Sequence, residues 1–209
     1  MQSNKVEALY ISKGLSGAEI ADRLNLPIRQ VYRILEKNNV QRRRSSESNN
    51  LGFLRKSPTF KIKTSMNDDE RILLTAGIML YWAEGWKDKK KNLLDFANSN
   101  PLMIKIYVSF LRNICGVRED KLRIYLYCYA NQNPLKLKKF WSGVTMVPLS
   151  QFTKPYIRMD FQESKIGKMP HGLIHVRYAD KKLFLQLEKW HEDIVRKWAG
   201  TEVVKPGTL

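Results

Sequence analysis

Residues 69–84 are the segment that most restricts how this chain folds. Their sequence, DERILLTAGIMLYWAE, has helical spacing, and from Ile72 to Ala83 it is apolar on nearly every side. Because such a helix must be shielded from water on both sides, one side has to pack on its own domain and the other is available to a partner. The segment therefore predicts a folded domain around this helix and a homodimer formed through residues 72–83.

The pattern after this helix is that of a mixed α and β domain. Strand-like and helix-like segments alternate, with short turn signals between them. The predicted strands are residues 93–97, 122–129, 156–160 and 173–178, and the predicted helices are residues 101–114, 134–142 and 181–198. We therefore predict an α+β fold with an antiparallel or mixed sheet over residues 67–200, followed by a tail at residues 201–209.

Residues 1–40 predict a separate small helical domain. Helical periodicity is broken near Gly14 and again near Asn25, which leaves three short helices. Ser16 and Glu19 have the spacing of a capping box, which marks the start of the second helix. The residues that face inward on the second and third helices are apolar: Ile20, Leu24, Leu26, Val31, Ile34 and Leu35. The segment resembles the helix-turn-helix domains of resolvases and many bacterial regulators over about forty residues.

With these apolar residues turned inward, polar side chains face outward near the start of the third helix. They are Arg29, Gln30 and Arg33, with Tyr32 beside them. A recognition helix presents such side chains to base edges in the major groove, where Arg prefers guanine and Gln prefers adenine. The alternative is a three-helix bundle whose basic face is solvated or contacts another protein.

Residues 41–66 are rich in basic and small polar residues, which predicts a basic linker. Arg42, Arg43 and Arg44 lie near its start, and Glu47 is its single acid. A basic arm beside a DNA-binding domain commonly tracks phosphates or enters the minor groove. The whole chain has 37 Lys and Arg against 20 Asp and Glu, a formal net charge of +17, which favours a polyanionic partner such as double-stranded DNA.

Nothing in the sequence predicts a membrane segment, a secretion signal or a zinc site. No apolar run is long enough to span a bilayer, and residues 1–7 lack the basic-then-apolar order of a signal peptide. Cys115 and Cys128 have no Cys or His at metal-ligand spacing around them. We therefore expect a soluble, cytoplasmic protein with two reduced thiols, associated with the nucleoid if the source is bacterial.

The predicted strand KLRIYLYCY alternates apolar and polar side chains. Alternation places Arg123, Tyr125, Tyr127 and Tyr129 on one face of a sheet and the apolar residues on the other. Similar phasing offers further residues from two later strands: Tyr156, Arg158, His175 and Arg177. We predict that six of them form a DNA-binding surface: Arg123, Tyr125, Tyr127, Arg158, His175 and Arg177. The alternative is a half-exposed sheet whose tyrosines pack under helices.

Two segments of the second domain resemble the LAGLIDADG superfamily of homing endonucleases and their non-cleaving relatives. GIMLYWAEG stands where that family has its signature helix, and DFANSNPLMIKIYVSFLRNI extends the likeness, which covers roughly residues 67–198. The family pairs two signature helices, and the terminal acid of each holds a divalent metal at the scissile phosphates. The resemblance therefore implies a homodimer in which Glu84 is a catalytic residue and a Mg²⁺ ligand. Met79 stands where the family usually has a small residue.

Lysines near this motif complete the candidate site. Lys87, Lys89 and Lys90 directly follow the signature and are expected to clamp phosphate. Lys154, in QFTKPYIR, is a candidate basic residue near the catalytic centre, and the alternative is an ordinary phosphate contact or a solvated lysine.

The sequence is consistent with three functions. The first is a sequence-specific double-stranded DNA-binding homodimer, for which Mg²⁺-dependent cleavage through Glu84 stays open. The second is a transcriptional regulator that uses the same two domains without cutting. The third is RNA binding, since a basic sheet with tyrosines also suits single strands, although the helix-turn-helix argues against it.

Overall fold

The computed structural model describes residues 2–87, 93–159 and 169–200, and the chain divides into two compact units. The first unit is Met1–Ser57 and the second is Pro58–Leu209. The first unit contains four helices: α1 (Gln2–Ile11), α2 (Gly17–Leu24), α3 (Ile28–Lys37) and α4 (Ser45–Arg55). The first three occupy the region where the sequence predicts three helices.

Local signals explain where the helices of the first unit begin and end. Ser16 caps α2 by accepting a hydrogen bond from the Glu19 amide, and the Glu19 carboxylate accepts one from the Ser16 amide at 2.7 Å, as the capping box predicts. Asn25 ends α2 in the left-handed conformation, with φ of 50°. The buried side chains of α1, α2 and α3 form one core: Val6, Tyr10, Ile20, Ala21, Val31 and Leu35.

The segment predicted as a linker differs from the expectation, because it contains α4 and is shared between the two units. Arg55 attaches α4 to the first unit: its guanidinium donates to the Gly14 carbonyl and, at 2.6 Å and 2.8 Å, to the Glu19 carboxylate. Residues 59–63 belong to the second unit, where the Lys61 amide donates to the Gly116 carbonyl at 3.0 Å. The segment also makes apolar contacts, since Phe60 packs against the core of the second unit. The sequence lacked a signal for this docking, because it uses single contacts and not a periodic apolar stripe.

The second unit is an α+β domain, as predicted, with a mixed four-stranded sheet. Its elements in chain order are α5 (Asp68–Glu84), β1 (Leu94–Asn98), α6 (Pro101–Asn113), β2 (Arg123–Tyr129), α7 (Pro134–Thr145), β3 (Tyr156–Arg158), β4 (Leu173–Tyr178) and α8 (Lys181–Ala199). The strand order is β1-β4-β2-β3. β4 is antiparallel to both β1 and β2, and β3 is parallel to β2.

One face of the sheet forms the core of the second unit with the helices. Strand alternation buries Phe96, Ile124 and Val176, which lie side by side in the register of β1, β4 and β2. Tyr107 and Phe110 of α6 belong to the same core. The other face carries the polar residues of the strands, and we call it the polar sheet face. Among the described residues, no helix is both long and apolar enough to cross a membrane.

Thr59 and Asp180 join the start of the second unit to its last helix. The Asp180 carboxylate caps α8 by accepting from the Lys182 amide at 2.9 Å, and it accepts from the Thr59 amide at 2.9 Å and the Thr59 hydroxyl at 2.8 Å. Burial alone would raise the pKa of Asp180, but these hydrogen bonds outweigh it and hold the pKa below its usual value.

We expect Asp180→Ala to lower the free energy of unfolding of the second unit by roughly 2–3 kcal/mol, because it removes a helix cap and the Thr59 contacts. Urea unfolding followed by tryptophan fluorescence measures this, since all five tryptophans lie in residues 82–198. Asp180 has a lowered pKa in the folded state, so its contribution is present above about pH 4 and is lost as the pH falls further. Asp193→Ala, an exposed acid on the same helix, is the control, and an equal effect of both variants contradicts this account.

Candidate nucleic-acid interface

One side of α3 in the first unit carries unengaged polar side chains. Val31 and Leu35 are buried against α1 and α2, which turns Arg29, Gln30 and Arg33 outward, and all three are exposed. They line one open groove together with Pro27, Ile34 and Lys37. Within the described part of the chain they form no hydrogen bond or ion pair, so their donors are available to a ligand.

Tyr32 lies on a different side of α3 from these residues. It packs against α2 where Gly17 leaves room, since a Cβ at Gly17 would lie 2.6 Å from the tyrosine Cζ. The Arg42 guanidinium lies over the Tyr32 ring, 4.2 Å from its centroid. Tyr32 therefore supports Arg42 and the α2–α3 packing, and its contact with DNA stays a prediction.

The three arginines before α4 have different environments. The Arg43 guanidinium lies 3.8 Å from the centroid of the Tyr10 ring and donates to the Leu15 carbonyl at 2.5 Å. The Arg43 amide also donates to the Tyr10 hydroxyl at 2.8 Å. Arg42 and Arg44 are exposed. Arg42 and Arg44 are thus free to meet phosphate, whereas Arg43 holds the first unit together.

The polar sheet face brings together the six residues predicted from the strands. In the register of the sheet, Arg177 pairs with Arg123, and His175 pairs with Tyr125. In the same way, Tyr127 pairs with Tyr156, and Tyr129 pairs with Arg158. The predicted members of this face are Arg123, Tyr125, Tyr127, Arg158, His175 and Arg177.

Contacts between these side chains order the polar sheet face. The Arg177 guanidinium lies 4.6 Å from the centroid of the Tyr125 ring, and the Tyr127 and Tyr156 rings stack with centroids 5.0 Å apart. The Arg123 guanidinium is exposed and donates to the Asp120 carbonyl at 2.7 Å and the Leu122 carbonyl at 2.8 Å. Part of the basic character of this face is therefore fixed in place by the protein itself.

Asp95 of β1 is a member of this face that the sequence reasoning missed. One of its carboxylate oxygens lies 2.7 Å from His175 Nδ1, and the other accepts from Arg177 Nε at 2.8 Å. Burial alone would raise the pKa of Asp95, but the hydrogen bonds and charges of His175 and Arg177 outweigh it and lower the pKa. The signal was an acid inside the apolar strand LLDFA, where a carboxylate requires a partner.

Glu84 and Lys154, the two candidate catalytic residues, lie at opposite edges of the sheet. Glu84 is exposed at the end of α5, where Gly85 bridges to Phe96 on the outer side of β1 and the Trp86 amide donates to the Asp95 carbonyl at 2.8 Å. Lys154 follows Thr153, whose amide donates to the Ile124 carbonyl of β2 at 2.9 Å. β1, β4 and β2 lie between them, a separation on the order of 15–20 Å at the usual strand spacing. The two residues therefore do not form one centre within a chain.

The described residues of one chain contain no group of three or more His, Cys, Asp or Glu side chains able to hold a metal ion. Cys115 and Cys128 are buried free thiols, and burial raises the pKa of both. Lys87 is exposed, whereas Lys89 and Lys90 lie outside the described residues. The single carboxylate of Glu84 does not by itself fit Mg²⁺, which needs further oxygen ligands.

Comparison of the chain with protein-family models, with curated proteins and with solved structures gave no significant match.

The environments of Arg43 and Arg44 predict a large loss of stability when Arg43 is replaced and a small one when Arg44 is replaced. Arg43→Ala removes the Tyr10 stacking and a hydrogen bond, so we expect it to lower the free energy of unfolding of the first unit by about 1–3 kcal/mol. Arg44→Ala removes the same charge from an exposed position and is expected to change it by less than about 0.5 kcal/mol. Hydrogen exchange of the α1–α3 amides measures both variants. Equal protection in the two would show that Arg43 has no structural role.

Proposed function

We propose that this protein is a sequence-specific double-stranded DNA-binding protein that acts as a homodimer. The observation that carries the proposal is the outward side of α3, where Arg29, Gln30 and Arg33 have no partner in the described chain. This helix follows α2 through a left-handed turn at Asn25, an order typical of helix-turn-helix domains, in which the second helix enters the major groove. Arg and Gln make bidentate contacts with guanine and adenine there.

Phosphate contacts are assigned to basic residues on both units. Arg42 and Arg44 lie between α3 and α4 in the first unit, and the polar sheet face supplies Arg123 and Arg177 on the second. Such contacts give affinity and orientation without reading sequence. The net charge of +17 supports an electrostatic contribution of this kind.

The exposed side of α5 supports the homodimer. Its inner side is buried at Gly77, Ile78 and Tyr81, whereas Met79 is 38% exposed and Ile72, two turns earlier, is 67% exposed. Trp82 borders this surface: it is 42% exposed, and its ring also packs on the His191 ring of α8, with centroids 4.5 Å apart. Exposed apolar side chains in one row mark a protein-contact surface, and a second copy of the same helix is the partner we propose.

Binding without cleavage is the form of the function that we favour. The resemblance to LAGLIDADG endonucleases implies a Mg²⁺ site at Glu84, but within residues 2–87 and 93–159 a single chain supplies only this one carboxylate at the end of α5. Lys154 is too far from it to act in the same centre. Cleavage would therefore need a second copy and the DNA itself to complete a site, and it remains an outcome of the test.

Single-stranded RNA is less well supported than duplex DNA. Binding of single strands relies on open aromatic faces on which bases stack. Tyr127 and Tyr156 stack on each other, and the Tyr125 ring is covered by the Arg177 guanidinium. These contacts occupy ring faces that bases would need.

Selection of bound sites from a randomised duplex library tests the proposal. We expect an enriched motif for the full chain, and we expect Arg29→Ala and Gln30→Ala to relax preference at single base positions, each by about 1–3 kcal/mol of discrimination. Arg23→Ala, an exposed arginine in the last turn of α2, is the charge-matched control and should keep the motif. Equal losses on specific and random DNA for Arg29→Ala would contradict base reading by α3.

The same selection run with Mg²⁺ or Mn²⁺ separates a regulator from a nuclease. Sequencing of cut ends as well as bound DNA distinguishes the two, with Glu84→Gln as the control. Site-specific double-strand ends that vanish in the control establish an endonuclease. Enriched sites without cutting establish a binding protein only.

Sedimentation tests the dimer. Met79→Arg places a charge in the exposed apolar row of α5, so we expect a dimer in the parent protein and a monomer in the variant. Ile106→Arg, at a 41% exposed position on α6, makes the same chemical change elsewhere and should leave the dimer intact. A dimer that survives Met79→Arg would show that α5 is not the interface.

A further inference from the structure

We infer that Asp95 is a positioning residue that holds Arg177 and His175 as a paired clamp for one phosphate on the polar sheet face. The inference rests on the proposed DNA-binding function and adds to it the part of the partner that this face recognises. Asp95 itself repels phosphate, so its role is exerted only through the two side chains that it holds.

Asp95 occupies a buried position within a strand, where an acid is unusual. It is the only acid within the four described strands, and it is only 9% exposed. Each carboxylate oxygen takes one partner, His175 at 2.7 Å and Arg177 at 2.8 Å. A buried carboxylate is costly unless it is paired, so this pairing is what allows an acid at this site.

Asp95 also offsets the repulsion between Arg177 and the arginine opposite it. The register of β2 and β4 places Arg177 directly opposite Arg123, and like charges directly opposite each other destabilise a sheet. The Arg177 guanidinium lies 4.6 Å from the centroid of the Tyr125 ring. This ring and the Asp95 carboxylate together hold the guanidinium in one orientation. The carboxylate engages only Nε, so within the described contacts both terminal nitrogens stay available, and the side chain is 37% exposed.

Asp95 also sets the orientation of the His175 ring. A carboxylate accepts hydrogen bonds, so the neutral imidazole carries its proton on Nδ1, and Nε2 is the ring nitrogen left for a ligand. Within the described residues Nε2 has no partner and is not buried. In this neutral form Nε2 is an acceptor, so it donates to a phosphate oxygen only when the ring binds a second proton. His175 and Arg177 lie two residues apart on the same face of β4, and the imidazolium Nε2–H and the terminal nitrogens of Arg177 then match the acceptor oxygens of one phosphate.

The direction in which Asp95→Asn changes the affinity for DNA distinguishes a positioning role from an effect of net charge. Asp95→Asn removes a negative charge and raises the formal net charge above +17, so charge alone predicts tighter binding of DNA. A positioning role predicts the opposite, because Arg177 and His175 lose the group that orients them.

Binding of the full-length variants to a defined duplex tests this inference. We expect Asp95→Asn to bind about 5- to 30-fold more weakly, Arg177→Gln to lose a similar amount, and the double variant to be no weaker than Arg177→Gln alone. Asp193→Asn adds the same charge at an exposed site on α8 and is expected to bind as tightly as the parent or more tightly. Asp95→Asn that binds as tightly as Asp193→Asn overturns the inference.

Two further measurements keep the test decisive. The ¹⁵N shifts of His175 report its tautomer, and we expect the Nδ1–H form in the parent to be lost in Asp95→Asn, which a change in charge alone does not produce. Tryptophan fluorescence reports whether the variant folds. Where Asp95→Asn does not fold, Arg177→Lys replaces it: a loss of at least 5-fold supports the clamp, since lysine keeps the charge without the planar fork, and unchanged binding overturns it.

A titration with inorganic phosphate separates failure of this inference from failure of the proposed function. If the parent protein does not bind duplex DNA, the proposed function is wrong, and the clamp is then judged by phosphate alone. Saturable shifts of the Arg177 and His175 side-chain signals that vanish in Asp95→Asn support it. Absence of such shifts in the parent overturns it.

Discussion

The contact between Gly77 of α5 and Phe110 of α6 determines how the second unit is arranged. A Cβ at Gly77 would lie 2.1 Å from Phe110 Cγ, so only glycine allows the two helices to approach this closely. The contact decides which side of α5 is buried, and it leaves Ile72 and Met79 exposed. It also directs the end of α5 to the outer edge of β1, where Gly85 bridges to Phe96. The dimer surface that we propose and the position of Glu84 both depend on this packing.

The basic residues of this chain divide into two groups that net charge cannot distinguish. Arg43, Arg55 and Arg123 donate to backbone carbonyls and so act in part as structural ties. Arg29 and Arg33 have no partner within the described residues and remain available to a ligand. Guanidinium has five donors in a rigid fork, which is why the same residue type closes loops in one place and binds anions in another. A count of positive charges therefore overstates the nucleic-acid surface.

Sequence reasoning succeeded where a local pattern had one structural meaning. The Ser16 and Glu19 spacing predicted the start of α2, and the alternation of residues 122–129 predicted both the strand and the face on which Arg123 and Tyr125 lie. The helix at residues 69–84 was placed to within one residue of α5. It failed where a segment docks through a few separate contacts: the basic composition of residues 41–66 gave no indication of α4 or of the boundary after Ser57. Nor did the sequence indicate that Tyr32 packs on Gly17.

Apart from α4, the sequence by itself determined the helices, the strands and the face on which the strand residues lie, because periodicity and capping act between residues a few positions apart. Only the tertiary structure decided which strands are neighbours, since alternation defines a face but carries no information about pairing. That decision brings Asp95 to His175 and Arg177, some eighty residues later in the chain, and it separates Glu84 from Lys154 by the width of the sheet. The cluster of Asp95, His175 and Arg177 therefore arises from strand order, which is set by the packing of the whole second unit.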